Sequence, residues 1–135
     1  MNRKAQVWIV HENRVLLFKV IPRRGGGWHP VTGSVEKDEE LLEGAKRETT
    51  EETGLNVKAG RWLSLDYCFE YDGRWGKAQE HAFAFVLTEA PVQIQLDPKE
   101  HQACKWVELE KAITELGFES QKKALEKLKC ILSKI

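Results

Sequence analysis

The amino-acid sequence predicts an α/β protein, a mixed β-sheet sandwiched between helices, from three observations. Two runs of branched apolar residues open the chain, a glutamate-rich helical segment lies around residues 39–53, and strand-like segments then give way to helices at the end. With 135 residues and 41% hydrophobic content, the chain suits a single domain, residues 1–135, around one core.

The runs "QVWIV" (6–10) and "RVLLFKV" (14–20) flank the polar turn "HEN" and read as a β-hairpin or a pair of adjacent strands. Residues 22–38, "PRRGGGWHPVTGSVEKD", are punctuated by glycine and proline and read as loop for most of their length. Residues 39–53 read as a helix, with Asp38 as N-cap, Glu39 and Glu40 in the first turn and Gly54 just past the end. One or two strands follow in "LNVKAGRWLSLDYCFEY" (55–71), then a turn in "DGRWGK" (72–77) and a strand in "HAFAFVL" (81–87). "HQACKWVEL" (101–109) reads as a last strand, and "LEKAITEL" and "SQKKALEKLKCILSKI" as helices. Leu125, Leu128 and Leu132 form one face of the second helix, for the core.

Bulk charge narrows the partners. Lys plus Arg and Asp plus Glu both number 21, so there is no general electrostatic case for nucleic acid or membrane, and phosphate recognition must be local. Cys68, Cys104 and Cys130 are odd in number and form no CxxC pair, which points to buried free thiols in a reducing compartment. The opening "MNRKAQVWIV" has too short an apolar run for a signal peptide or a membrane span, so the expected location is the cytoplasm.

The central helix poses a charge problem. Glu48, Glu51 and Glu52 crowd together beside Lys46 and Arg47, and like charges four apart repel. At about 100° per residue, Glu48 and Glu52 fall within about 20° of Leu41, the direction that Leu41 and Ala45 mark as inward. Glu51 lies off to one side, near −80°, where Arg47 one turn earlier can pair with it. Arg47 itself points away from the Glu48–Glu52 line. Buried unpaired carboxylates cost several kcal/mol each, so something positive must meet them. A hard divalent cation with oxygen ligands suits the pair, against the plainer alternative of a solvated acidic face.

"GSVEKDEELLEGAKRETTEETGL" (33–55) resembles the Nudix box, G-x5-E-x7-R-E-U-x-E-E-x-G-U with U a bulky apolar residue. Gly33, Glu39, Arg47, Glu48, Glu51, Glu52, Gly54 and Leu55 fall in register. Thr49 departs, standing where an aliphatic residue is usual, and packs its methyl inward. The flanking segments through about residue 115 look like the Nudix fold. More narrowly, "W-x-x-VTGSVE", "EH-x-x-x-KWV" and the closing helix resemble the dihydroneopterin triphosphate and dATP pyrophosphohydrolase branch.

The resemblance implies Mg²⁺-dependent hydrolysis, with Mn²⁺ able to substitute, of a nucleoside diphosphate linked to X. The expected substrate is a (deoxy)nucleoside or pterin triphosphate releasing pyrophosphate. A dinucleoside polyphosphate, a nucleotide sugar or an RNA 5′ end is the alternative, and a nucleotide-sensing module without catalysis the third. By box position Glu48 and Glu52 are the principal metal ligands, with Glu51 a further ligand or the base and Arg47 orienting a glutamate. Gly33 serves as backbone beside the metal, Gly54 ends the helix, and Glu39 braces the loop through backbone N–H groups. The late "EH" motif maps a further ligand onto Glu100, with Glu80 in "AQEHAF" the other candidate.

Lys19, Arg23 and Arg24 flank the glycine loop and are candidates for phosphate contact, against a solvated loop. Trp28, Tyr67 and Trp75 are candidates to stack on a base, against ordinary packing. "GGG" at 25–27 is no P-loop, because no G-K-[ST] follows. The expected partner is thus a small nucleotide or pterin phosphate, with no membrane and no nucleic acid, and a homodimer left open.

Overall fold

The computed structural model describes residues 1–91 and 93–135. Seven strands form one mixed sheet: β1 (Asn2–His11), β2 (Arg14–Val20), β3 (Trp28–His29), β4 (Val31–Ser34), β5 (Gly60–Gly73), β6 (Gly76–Leu87) and β7 (His101–Glu108). The helices are α1 (Leu41–Thr53), the short α2 (Leu109–Ala112) and α3 (Glu119–Leu132). The α/β sandwich is therefore observed.

β1 is the hub of the sheet. Its outer half pairs antiparallel with β2, as the hairpin reading expected, and its first half pairs antiparallel with β4. Along nearly its whole length it runs parallel to β6, which returns antiparallel to β5. A strand paired on both sides and covered on both faces must be apolar nearly throughout, which is why "VWIV" shows no alternation. Trp8 and Val10 pack toward α2 and α3, whereas Val7 and Ile9 pack toward α1. Each fully buried large side chain of this kind contributes about 1.5–3 kcal/mol.

Two boundaries around the glutamate-rich helix differ from the sequence reading. Within the expected loop, Val31–Ser34 forms a strand, because Val31 and Gly33 turn inward beside β1. Helix α1 begins at Leu41 with Glu40 as N-cap, and Asp38 is exposed and makes no cap. The entry to the helix is held instead by Arg3, which donates to the backbone oxygens of Glu36, Lys37 and Glu39. Gly54 does end α1, with φ at 74° and its N–H donated to Thr50. The thiols also differ: Cys68 and Cys130 are exposed and Cys104 is only half-buried.

Thr49 is accommodated at its usually aliphatic position. It is fully buried, and its hydroxyl donates to the Ala45 carbonyl at 2.8 Å, so the polar group enters the core already satisfied.

Candidate active site

A cavity of about 760 Å³ opens between the sheet, the glycine loop and the start of α3. Of the candidate site residues singled out by sequence, Gly33, Glu48, Glu52, Glu80, Glu100, Arg24 and Tyr67 line it. Glu51, Arg47, Lys19, Arg23 and Trp28 do not.

Glu52 is 4% exposed on the inner face of α1, and its Oε2 is buried with no hydrogen-bond partner. Burial, then the neighbouring charges of Glu48, Glu100 and Asp97, push its carboxyl up to about 9. Glu48, next to it on the same face, is raised by burial and by Glu51, with the Arg47 charge opposing. Gly33 explains how Glu48 fits: a Cβ built there would lie 2.2 Å from the Glu48 carboxyl carbon. This glycine is required by that close approach rather than by a tight turn, since Gly33 lies in β4 and does not have positive φ.

Arg47 organises the outer side of the same helix turn. It reaches back to Glu39 through two hydrogen bonds of 2.9 Å, and it also bonds Glu48 at 3.1 Å and Glu51 at 3.3 Å. The expectation that Arg47 points away from Glu48 is thus corrected, because a long guanidinium fork spans both faces of one turn. Glu39 in turn accepts the Glu36 N–H at 3.0 Å, bracing the loop. The Arg47 bonds, and then that N–H, hold the Glu39 carboxyl down at about 2. Glu51 is exposed and, among the described residues, bonded only to this arginine, on the side the helical wheel assigned it.

Glu80 occupies the cavity floor in a different manner. It is 5% exposed, but Gln6 Nε2 donates to it at 2.7 Å and the Tyr71 hydroxyl at 3.0 Å. The orientation of Gln6 is forced, because Trp8 Nε1 can only donate and does so to Gln6 Oε1 at 2.7 Å. Lys4 lies opposite Glu80 in the β1–β6 register and lines the same cavity. Burial raises Glu80 while these two donors hold it down.

The far wall is built from the glycine loop and α3. Gly25, Gly26 and Gly27 all adopt left-handed φ, a run that side chains resist. His29 Nε2 meets the Gly26 carbonyl at 2.8 Å and must donate to it. Its Nδ1 therefore accepts from Gln121 Nε2 at 3.0 Å. The rings of Tyr67, Phe69 and Tyr71 line the cavity along β5, with successive centroids 5.7 Å apart.

Arg24 pairs with Glu100 at 3.4 Å, and Lys123 is a further cation on the lining. Lys19 projects to solvent, and Arg23 is exposed on the 3-10 turn. Trp28 is occupied by Lys105, whose Nζ sits 4.2 Å from the ring centroid. Trp75 is 82% exposed at the β5–β6 turn and lies outside the cavity.

A divalent cation fits this donor set. Glu52 presents an unpartnered oxygen, its neighbours penalise a bare negative charge, and the donors are hard oxygens. Among the described residues no three His, Cys, Asp or Glu side chains are gathered into a closed ligand cage. Mg²⁺ does not require one, since it keeps several waters and binds through one or two carboxylates plus substrate phosphates.

The NUDIX domain profile matches residues 1–128. The chain belongs to the NUDIX family. Its fold is that of a Nudix domain. It is 34% identical over 123 residues to an octanoyltransferase of Myxococcus xanthus, matching 86% of this chain and 32% of that protein. The chain thus spans about a third of the length of the first curated relatives it matches. The structure of the E. coli dihydroneopterin triphosphate pyrophosphohydrolase superposes with a TM-score of 0.80 at 25% identity, over 93% of this Nudix chain and 92% of that one. A C. elegans Ap4A hydrolase binary complex gives a TM-score of 0.84 at 24% identity over the whole of both chains, a likeness of fold.

Proposed function

We propose that this Nudix domain hydrolyses a phosphoanhydride bond in a nucleoside or pterin triphosphate, releasing pyrophosphate, with Mg²⁺ as cofactor. The observation that supports this best is the unpartnered Glu52 oxygen beside Glu48 in a cavity that also presents Lys4, Arg24 and Lys123. Glu52 and Glu48 would hold Mg²⁺, with Glu100 as a further carboxylate. When bound, the ion supplies charge neutralisation of the phosphates and a more acidic water.

The chain's own residues do the rest. Arg24, Lys4 and Lys123 offer cationic contacts to phosphate oxygens, and the Arg47–Glu39 clamp keeps the carboxylate helix and its loop in register. Glu51 stands outside the cavity, so the carboxylates that line it are the groups in place to take the proton of an attacking water. A dinucleoside polyphosphate is the second reading, favoured by two ring surfaces in one cavity, the Tyr67–Phe69–Tyr71 ladder and Phe118. The narrower assignment to the dihydroneopterin triphosphate branch is supported by its short motifs and by one of these structural likenesses.

The test is a panel of nucleoside and pterin triphosphates, dinucleoside polyphosphates, nucleotide sugars and 5′-triphosphate RNA, with Mg²⁺ or Mn²⁺. Pyrophosphate release from a triphosphate is the expected result. Monophosphate release from a dinucleoside polyphosphate selects the second reading. Binding without hydrolysis of any of them overturns both in favour of a sensing module.

A further inference from the structure

Gln121 has no role in the phosphate chemistry, yet it is 4% exposed and lines the cavity from the first turn of α3. Its amide nitrogen is used, donating to His29 Nδ1 at 3.0 Å, and its Oε1 is buried with no partner. With a neutral imidazole the amide is not reversed: His29 Nε2 donates to the Gly26 carbonyl, so its Nδ1 is an acceptor and would repel a second oxygen. Gly26 is in turn fixed by the left-handed run of three glycines. The loop, the histidine and the glutamine thus form one chain of constraints, and it ends in a fixed acceptor with nothing to accept.

An orphaned buried acceptor is costly unless a ligand completes it. Flat apolar surface lies around the same cavity: Phe118, 58% exposed, sits 5.6 Å from the His29 ring, and the β5 aromatic ladder lines the cavity as well. Such surfaces suit a heteroaromatic ring.

We propose that Gln121 is a base-specificity residue whose Oε1 accepts a hydrogen bond from the exocyclic amino group of the substrate's heterocycle. The inference rests on the nucleotide reading above and adds to it a substrate class, an amino-bearing base or pterin. Phe118 turns aside to admit the ring or stacks on it. A base without the amino group leaves Oε1 unpaired and is disfavoured.

The experiment compares amino-bearing substrates with their amino-free counterparts: dATP with the unsubstituted purine deoxynucleotide, dGTP with dITP, dCTP with dUTP, and dihydroneopterin triphosphate with its 2-deamino form. Both kcat/KM with Mg²⁺ and equilibrium Kd without divalent ion are measured, on wild type and on Gln121→Met. The expected result is at least a ten-fold preference for the amino-bearing member of the preferred pair. That ratio should fall to about one in Gln121→Met, a variant of similar length without the acceptor. A wild-type ratio below ten in every pair overturns the proposal, and that measurement requires no variant. So does a Gln121→Met protein that weakens both members equally, which is what a purely structural glutamine would do. If nothing is hydrolysed, the hydrolase reading fails separately, and the Kd ratios still decide the role of Gln121.

Discussion

Glu52 and Glu80 share one cavity and are almost equally hidden from water, at 4% and 5% exposed, yet the protein treats them differently. Glu80 receives a hydrogen bond on each oxygen, from Gln6 and Tyr71, and behind Gln6 stands Trp8. Glu52 keeps one oxygen without any partner and faces further acids in Glu48, Glu100 and Asp97. Burial penalises both charges and Lys4 favours both, but only Glu80 also receives hydrogen bonds. The difference separates a carboxylate completed within the fold from one that, on the metal reading above, is completed from outside.

The largest test of that contrast is Glu52→Gln, which should lower kcat by about a thousand-fold or more with an unchanged circular dichroism spectrum, if Glu52 holds the cation. Full retention of turnover would remove the metal assignment. Gly33→Ala comes next. Its methyl collides with the Glu48 side chain, and a displaced ligand should cost about a hundred-fold in turnover, read in the same assay.

Stability tests sharpen the comparison from the other side. Below its ordinary pKa of 4.5 Glu52 is neutral whether folded or unfolded, and with the folded value near 9 the metal-free protein must lose stability as pH rises between them. A melting series from pH 5 to 9 in chelator should fall, and Glu52→Gln should flatten the fall. At pH 8 the variant should melt higher than metal-free wild type by about 3 °C or more, the shift expected for about 1 kcal/mol. Adding Mg²⁺ should raise the wild-type melting temperature and leave Glu52→Gln almost unmoved.

Tyr71→Phe is the smallest effect. It deletes one of two donors to Glu80, which should cost about 1–2 kcal/mol of stability and leave turnover within ten-fold. A loss of turnover as large as that of Glu52→Gln would show that Glu80 is no scaffold group.

Much of this was legible from spacing. The phase of Leu41 and Ala45 placed Glu48 and Glu52 on the inner face and Glu51 to one side, because helix geometry depends only on position. The strands of the hub were legible as apolar runs. What escaped was everything that depends on distant segments meeting. Lys4 joins the cavity only through the β1–β6 register, and Tyr71 and Gln121 only through packing. Lys19 and Arg23 looked suitable by proximity to the glycine loop, but Lys19 is exposed near the end of β2 and Arg23 on the 3-10 turn. A signal for the Glu80 network was present: Gln6 stands inside an apolar strand, and a polar residue there needs a partner. Asp38 failed as a cap because the helix starts at Leu41, which puts Glu40 at the cap position, and the loop before it is held by Arg3 across 33 to 36 residues of sequence.

The pairing of β1 with β6 has a consequence for biogenesis. Gln6 and Glu80 meet across 74 positions of chain, so the floor beneath the acids cannot exist until the chain has emerged through Glu80. Closing such a span is entropically slow, and helix α1 can wind long before it. The carboxylates are therefore free in water early and become confined only when the last partners dock. A mutation that delays this docking would leave a newly made chain helical but without its cavity.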